Sequence, residues 1–186
     1  MRANVNTESA RGISPLYIAV EKNDYALCKL LLNSGADSTS GTWHYVYSPL
    51  LQVVRTSNLS MIRLLHRKGA DINRENCLGE SPLRMAVEQG AVHIMRYFIK
   101  KGATIDSIDH HMDTALHIAA RLGKRGAVRL LLKQGADPSL RNKGGYTAFD
   151  LARVLKRQEI ATMIQQQERG EDIGYPSDSD IESDDD

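Results

Sequence analysis

The chain is poor in cysteine and in aromatic residues, and it has no long apolar run. Two cysteines, Cys28 and Cys77, are too few for a disulfide framework or for a zinc site built on thiolates. No apolar stretch approaches the roughly 20 residues that a membrane span needs, and the first ten residues contain no apolar signal region. We therefore expect a globular intracellular protein, cytoplasmic or nuclear, with reduced thiols and no membrane association.

Signatures of catalysis are also absent. The sequence has no nucleotide-binding loop, nucleophile elbow, HExxH motif or Cys-x-x-Cys pair. The nearest approach to a metal site is the run Asp109-His110-His111 with His117 nearby, and we interpret His110 and His111 as residues of an exposed loop tip instead. The sequence therefore predicts a protein that is not an enzyme and that needs no cofactor or metal.

Charge is present in both signs, but it is segregated along the chain. Residues 168–186 contain nine Asp and Glu and one Arg, a balance of −8, whereas residues 1–167 contain 23 Lys and Arg and 14 Asp and Glu, a balance of +9. The acidic segment has few apolar residues, which favours disorder. We expect a basic folded body followed by a disordered acidic tail.

One segment of about 33 residues recurs through the chain. Its five copies open with SPLYIAV, SPLLQVV, SPLRMAV, TALHIAA and TAFDLAR, and their first residues are Ser14, Ser48, Ser81, Thr114 and Thr147. Four glycines keep the same spacing: Gly35, Gly69, Gly102 and Gly135. Ser and Thr are good helix N-caps, Pro suits the first helical position, and glycine supplies a left-handed stop.

This pattern resembles the ankyrin repeat, whose copies open with Thr-Pro-Leu-His-x-Ala, and the resemblance covers about residues 3–167. It implies an all-α solenoid of stacked helix-turn-helix pairs joined by β-hairpin fingers. We divide the chain into residues 1–11, a remnant of a preceding repeat connection; residues 12–167, a repeat domain whose copies start near residues 12, 46, 79, 112 and 145; and the tail, residues 168–186. The polar Gln165-Gln166-Gln167 suit the end of an array.

In ankyrin-type arrays the fingers and the first helix of each repeat line a concave face that binds partners. Carried over by position, the resemblance implies finger residues that contact a partner: Arg11, Ile13, Trp43, His44, Tyr45, Tyr47, Cys77, Leu78, Glu80, His110, His111, Asp113, Lys143 and Tyr146. It also implies contact residues on the first helices: Glu21, Lys22, Arg55, Thr56, Glu88, Gln89, Arg121 and Leu122. His117 has the position of the family histidine, whose usual role is to bond the local backbone.

The second finger contains three alternating aromatic residues, Trp43, Tyr45 and Tyr47. Val46 stands where the family prefers a turn glycine, so the tight turn is disfavoured and this finger is expected to differ from the others. The aromatics either form a binding hot spot or pack internally, and the sequence leaves both alternatives open. Met112 replaces the turn glycine in the fourth repeat and leaves that turn open as well.

We expect a monomeric, non-enzymatic adaptor that binds a protein partner through the concave face and the fingers. The alternative is nucleic-acid or polyanion binding through the basic body, modulated by the acidic tail. Ser177, Ser179 and Ser183 each have an acidic residue three positions later, which is similar to the substrate pattern of acidophilic kinases of the casein type. Residues 65–73 are similar to the pattern that an asparaginyl hydroxylase recognises, with Asn73 as target, although the same residues are family consensus.

Overall fold

The computed structural model describes residues 4–10, 12–39, 48–171 and 173, and over these residues the chain forms five pairs of α-helices. The first helices of the pairs are α1 (Pro15–Glu21), α3 (Pro49–Arg55), α5 (Pro82–Gln89), α7 (Ala115–Leu122) and α9 (Ala148–Val154). The second helices are α2 (Tyr25–Asn33), α4 (Leu59–Arg67), α6 (Val92–Lys100), α8 (Arg125–Lys133) and α10 (Gln158–Glu168).

The pairs stack into two layers. Each first helix packs on its own second helix and on the first helices of the adjacent pairs, and the second helices α6, α8 and α10 pack in sequence. Side-chain contacts join residues about one repeat apart, such as His66 to Tyr97 and Arg125 to Glu159, so the second helices lie parallel and in register. The fold is the all-α repeat solenoid that the sequence predicts.

The local signals in the sequence set the helix boundaries. The side chains of Ser14, Ser48, Ser81, Thr114 and Thr147 each accept a hydrogen bond from the backbone N–H three residues later. Proline occupies the first position of α1, α3 and α5, where a backbone N–H would have no acceptor within the helix. Gly35, Gly69, Gly102 and Gly135, which follow α2, α4, α6 and α8, have φ between 84° and 95°, the left-handed conformation that ends a helix.

The core lies between the two layers. Ala19, Ala86, Ala119 and Ala152 are fully buried, which lets the helices of a pair approach closely, and Val53 is buried in their place in the second repeat. Cys28 is also fully buried, and burial together with the charge of Asp24 raises the pKa of its thiol to about 11.

The first repeat differs from the others in what its second helix buries. The sequence predicts an apolar stripe of Leu27, Cys28 and Leu31 there, yet Leu27 is 38% exposed and Leu30 is 62% exposed. Their counterparts one or more repeats later, such as Ile94 and Leu130, are buried against the preceding pair. Within the described residues no preceding helix pair lies beside α2, so part of the stripe faces outward.

The packed body continues past α10. Glu171 donates its backbone N–H to the carbonyl of Gln166, and Ile173 is buried in the hydrophobic core. The first residues of the segment that we assign to the tail therefore pack against the solenoid. Within the described residues, no helix is both long enough and apolar enough to cross a membrane.

Candidate functional site: the finger face

The connections between pairs are tight turns, and the described residues contain no strand, so the expected hairpins are reduced to turns of five residues. Four fingers share one geometry, in which the first residue donates its N–H to the carbonyl of the fifth and accepts from the fourth; they span residues 9–13, 76–80, 109–113 and 142–146. We call these turns and the C-terminal ends of the first helices the finger face.

A polar side chain at the start of the turn fixes three of the fingers. The Oδ1 atoms of Asn76, Asp109 and Asn142 each accept from the backbone N–H groups two and four residues later. Such local bonds replace the ladder of a longer hairpin. In the second finger the equivalent position is Trp43, which has no acceptor, and this finger lies outside the described residues.

The fourth residue of each turn is left-handed. Gly79 has φ 73°, and a Cβ there would lie 3.3 Å from the Cα of Asp109, so the two fingers approach too closely for most side chains. Met112 takes the same conformation with φ 57° and leaves its side chain 45% exposed. The Asp109 bonds hold this turn, so the fourth finger keeps the regular geometry without glycine.

Adjacent fingers are joined to one another. The backbone N–H of Lys143 donates to the carbonyl of His111, and Nδ2 of Asn142 donates to Oδ1 of Asp113, both at 2.8 Å. The His110 ring reaches the Cys77 carbonyl at 3.1 Å. The third, fourth and fifth fingers therefore form one connected surface.

A buried cation lies beneath the third and fourth fingers. Arg84, at the third position of α5, is 2% exposed, and its Nη2 lies 2.7 Å from Oδ2 of Asp109. Its Nε and Nη1 atoms are buried without a hydrogen-bond partner in the described chain. Arg84 is not among the predicted contact residues, although its position 33 residues before His117 marks it as a charged residue in a core position.

Carboxylates outnumber cations around Arg84. The charges of Glu80 and Asp109 act on Glu88 together with those of Arg84 and Arg121, and Nη2 of Arg121 lies 3.5 Å from Oδ2 of Asp113. Burial raises the pKa of the Glu88 carboxyl, and the charge of Glu80 raises it further, while Arg84 and Arg121 act in the opposite direction. The half-buried Glu88 is thus incompletely compensated.

Apolar side chains flank this carboxylate group. Among the residues predicted to contact a partner, Leu78 is 51% exposed, Leu122 is 40% exposed and Tyr146 is 48% exposed. Val154 and Leu155 are exposed too, and Val154 lines a shallow depression together with Tyr146. Prediction missed these two residues, although the repeat offset from Arg121 and Leu122 would have found them.

The other predicted contact residues are placed as follows. Those described as exposed are Glu21, Lys22, Arg55, Thr56, Cys77, Gln89, His111 and Lys143, while Ile13 and Glu80 are half-buried and Asp113 is buried. Outside the described residues lie Arg11, Trp43, His44, Tyr45, Tyr47, Ser177, Ser179 and Ser183.

Both ring nitrogens of His117 bond backbone groups, so the side chain is not available as a metal ligand. Its Nδ1 accepts from the Thr114 N–H, and its Nε2 bonds the Tyr146 carbonyl at 3.0 Å, as the family role implies. In the described part of the chain, no group of three His, Cys, Asp or Glu side chains is arranged to hold a metal ion.

Asn73 has a structural role. Its Nδ2 donates to the Gly102 carbonyl and its Oδ1 accepts from the Thr104 N–H, and Asn6 makes the same pair of bonds to Gly35 and Asp37. These bonds tie each connection to the next repeat.

Comparison with known proteins agrees with this architecture. A family model described as "Ankyrin repeats (3 copies)" matches residues 50–142 and 107–175, and one described as "Ankyrin repeat" matches residues 11–42. The chain is similar to "Ankyrin repeat and SOCS box protein 9" of Homo sapiens, with 41% identity over 69 residues. That alignment covers 37% of this chain and 23% of the relative, so the chain spans about a quarter of the curated relative's length. Ankyrin repeats are generally protein–protein interaction modules. Because the family matches cover most of its length, the chain belongs to the ankyrin repeat family.

Proposed function

We propose that the protein is a non-enzymatic adaptor whose finger face, the concave face implied by its family, grips a protein partner. The observation that carries the proposal is the half-buried Glu88, whose carboxyl is incompletely compensated on a surface of connected fingers. A group that costs stability in the isolated protein marks a candidate functional position.

The chemistry of the face indicates the kind of partner segment. The excess of carboxylates around Glu88 favours a Lys or Arg side chain of the partner. The exposed apolar residues Leu122, Tyr146 and Val154 favour apolar side chains beside it. We infer a segment that presents one basic residue next to apolar ones.

The aromatic residues of the second finger extend the same proposal. Trp43 and Val46 hold the positions at which other fingers have a turn-forming acceptor and a left-handed residue. A finger that has lost both features of the turn is free to diverge for contact, and aromatic residues are frequent at hot spots. We propose that Trp43, Tyr45 and Tyr47 anchor the partner.

The experiment compares capture by matched variants of the full chain. Glu88→Gln and Val154→Ser should each lose the partner that the native chain retains on a column, while both variants fold, because neither side chain is needed by the core. Arg67→Gln changes one charge on a second helix and should retain the partner. A partner identified by mass spectrometry that binds all four proteins equally would disprove binding through the finger face.

A further inference from the structure

The positive charge of the body is concentrated on one layer of the solenoid. Within residues 1–167, the second helices and their cap residues contain 12 Lys and Arg against only Asp24 and Glu159, whereas the remainder contains 11 Lys and Arg against 12 Asp and Glu. The finger side is therefore close to neutral, and the surplus lies on the opposite surface. Helices α4, α6 and α8 contain no carboxylate at all.

The repeat arranges these cations in two rows. Arg63, Arg96 and Arg129 are one repeat apart, and Arg67, Lys100 and Lys133 form a second row one helical turn further along. Because the second helices lie parallel and in register, successive members of a row are about 8–10 Å apart, the usual spacing of packed helices. We call these six residues the basic ladder.

Side-chain contacts between α4 and α6 fix the relative position of the helices that carry the basic ladder. The Tyr97 hydroxyl bonds Nδ1 of His66 at 2.7 Å, and the Arg63 guanidinium lies 5.9 Å from the centre of the Tyr97 ring. These contacts join α4 to α6 and hold the two helices in register. The second row is exposed at all three of its positions, Arg67, Lys100 and Lys133, so it is accessible to a ligand.

The described chain leads from the last repeat towards this layer. Helix α10 packs beside α8, and its C-terminal end lies at the same end of the layer as Lys133, because the second helices are parallel. Ile173 is buried in the core, which anchors the residue that precedes the last acidic cluster. Residues 174–186 contain six Asp and Glu and no Lys or Arg.

We propose that the basic ladder is an interaction surface for acidic peptide, and that its occupant is the chain's own segment 174–186. Thirteen residues span at most about 43 Å, and three helix spacings from α10 to α4 amount to about 24–30 Å, so the segment reaches the whole ladder. Tethering provides a millimolar effective concentration, enough to populate a contact made of several weak ion pairs. Phosphate on Ser177, Ser179 or Ser183 would strengthen the contact by adding charge.

This surface is distinct from the finger face and does not depend on the proposed adaptor role. The proposal also distinguishes binding of a polyanion from binding of a protein partner. An external polyanion would have to displace the segment from the ladder. Binding of a protein partner at the fingers would leave the segment in place.

The test uses the full chain and a variant in which the six acidic residues of 174–186 are changed to Asn or Gln. Backbone amide NMR spectra of the two should differ at α4, α6 and α8 at low salt, and the differences should fade at high salt. A labelled peptide with the sequence of 174–186 should bind the neutralised chain severalfold more tightly than the native chain, because the native segment competes with it.

Matched variants locate the contact. Arg67→Gln/Lys100→Gln/Lys133→Gln in the neutralised chain should abolish peptide binding, and Lys22→Gln/Lys143→Gln/Arg153→Gln, an equal loss of charge on the finger side, should not. Equal effects of the two triple variants, or spectral differences confined to the finger face, would overturn the proposal. So would identical spectra of native and neutralised chains, even if single-stranded RNA bound the ladder, because the face would then belong to an external polyanion.

Discussion

At the scale of single residues, Arg84 and His117 occupy equivalent positions and join the fingers by different means. The His117 ring bonds Thr114 and the Tyr146 carbonyl, and both of its nitrogens have partners. Arg84 has one ion pair with Asp109 and two buried nitrogens without a partner in the described chain. A partly satisfied buried cation depends strongly on the single carboxylate that it has.

We predict that Asp109→Asn destabilises the protein by about 3 kcal/mol, because the buried Arg84 loses its direct ion-pair partner. The substitution keeps the Oδ1 acceptor that the turn needs. Arg84→Met combined with Asp109→Asn should recover most of the loss, since the buried charge is gone. Urea melts measure both, and Asp137→Asn, at an exposed carboxylate, should cost less than about 1 kcal/mol. A double variant no more stable than Asp109→Asn would contradict this account.

Glu88 provides a pH-dependent prediction. Its pKa is raised in the folded chain, so the native state holds the proton more firmly than the unfolded state does. The contribution of Glu88 to stability therefore falls as pH rises from its unfolded pKa through its folded pKa. Glu88→Gln should be more stable than the native chain at neutral pH, and the difference should shrink below about pH 4, where Glu88 is protonated in both states. Thermal melts across this range would refute the idea if the gap stayed constant.

At the scale of elements, equivalent helices differ in burial although their sequences follow one pattern. Leu30 of α2 and Leu130 of α8 share a position, yet Leu30 is 62% exposed and Leu130 is 4% exposed. The difference arises from the neighbour: α6 packs beside α8, whereas within the described residues no second helix of a preceding pair packs beside α2. Burial in a repeat array is thus a property of the stack.

A matched pair of substitutions tests this point. Leu130→Ala should cost about 2–5 kcal/mol, because it leaves a cavity between packed helices. Leu30→Ala removes the same atoms from an exposed site and should cost less than about 1 kcal/mol. Chemical denaturation of the two variants measures the difference, and equal losses would mean that α2 is covered by a part of the chain outside the described residues.

At the scale of the whole molecule, the two layers carry different chemistry on one scaffold. The finger face combines exposed apolar residues with excess carboxylate, and the second-helix layer carries the surplus of positive charge. The stack keeps these surfaces apart because each repeat contributes its first helix to one layer and its second helix to the other. The proposed partner and the proposed acidic segment would therefore bind separate surfaces of one molecule.

Substitutions in the second finger test whether its aromatic residues contribute to partner binding or to folding stability. Replacing both Trp43 and Tyr45 by Ala should weaken binding of the captured partner and leave the melting temperature nearly unchanged, because we propose that these side chains contact the partner and not the core. Titration calorimetry and thermal melts measure the two quantities. A lower melting temperature with intact binding would show that the aromatics pack internally.

The sequence alone determined the period, the helix starts and most of the core. These features depend on local bonds and on apolar spacing, which a single repeat contains: Ser81 caps α5 wherever α5 packs, and Ala119 is small wherever the pair closes. The sequence did not decide whether the turn at Met112 is regular. The left-handed strain at Met112 is offset by bonds to Asp109 that only the folded finger reveals.

Tertiary structure decided what depends on neighbours one repeat away. The pairing of Arg84 with Asp109, the raised pKa of Glu88 and the exposure of Leu27 all depend on which side chains meet across the stack. The basic ladder has the same origin: its residues are spaced by the sequence, but only parallel packing in register brings them side by side. Long-range contacts set charge environment and burial, and a linear pattern does not specify those contacts residue by residue.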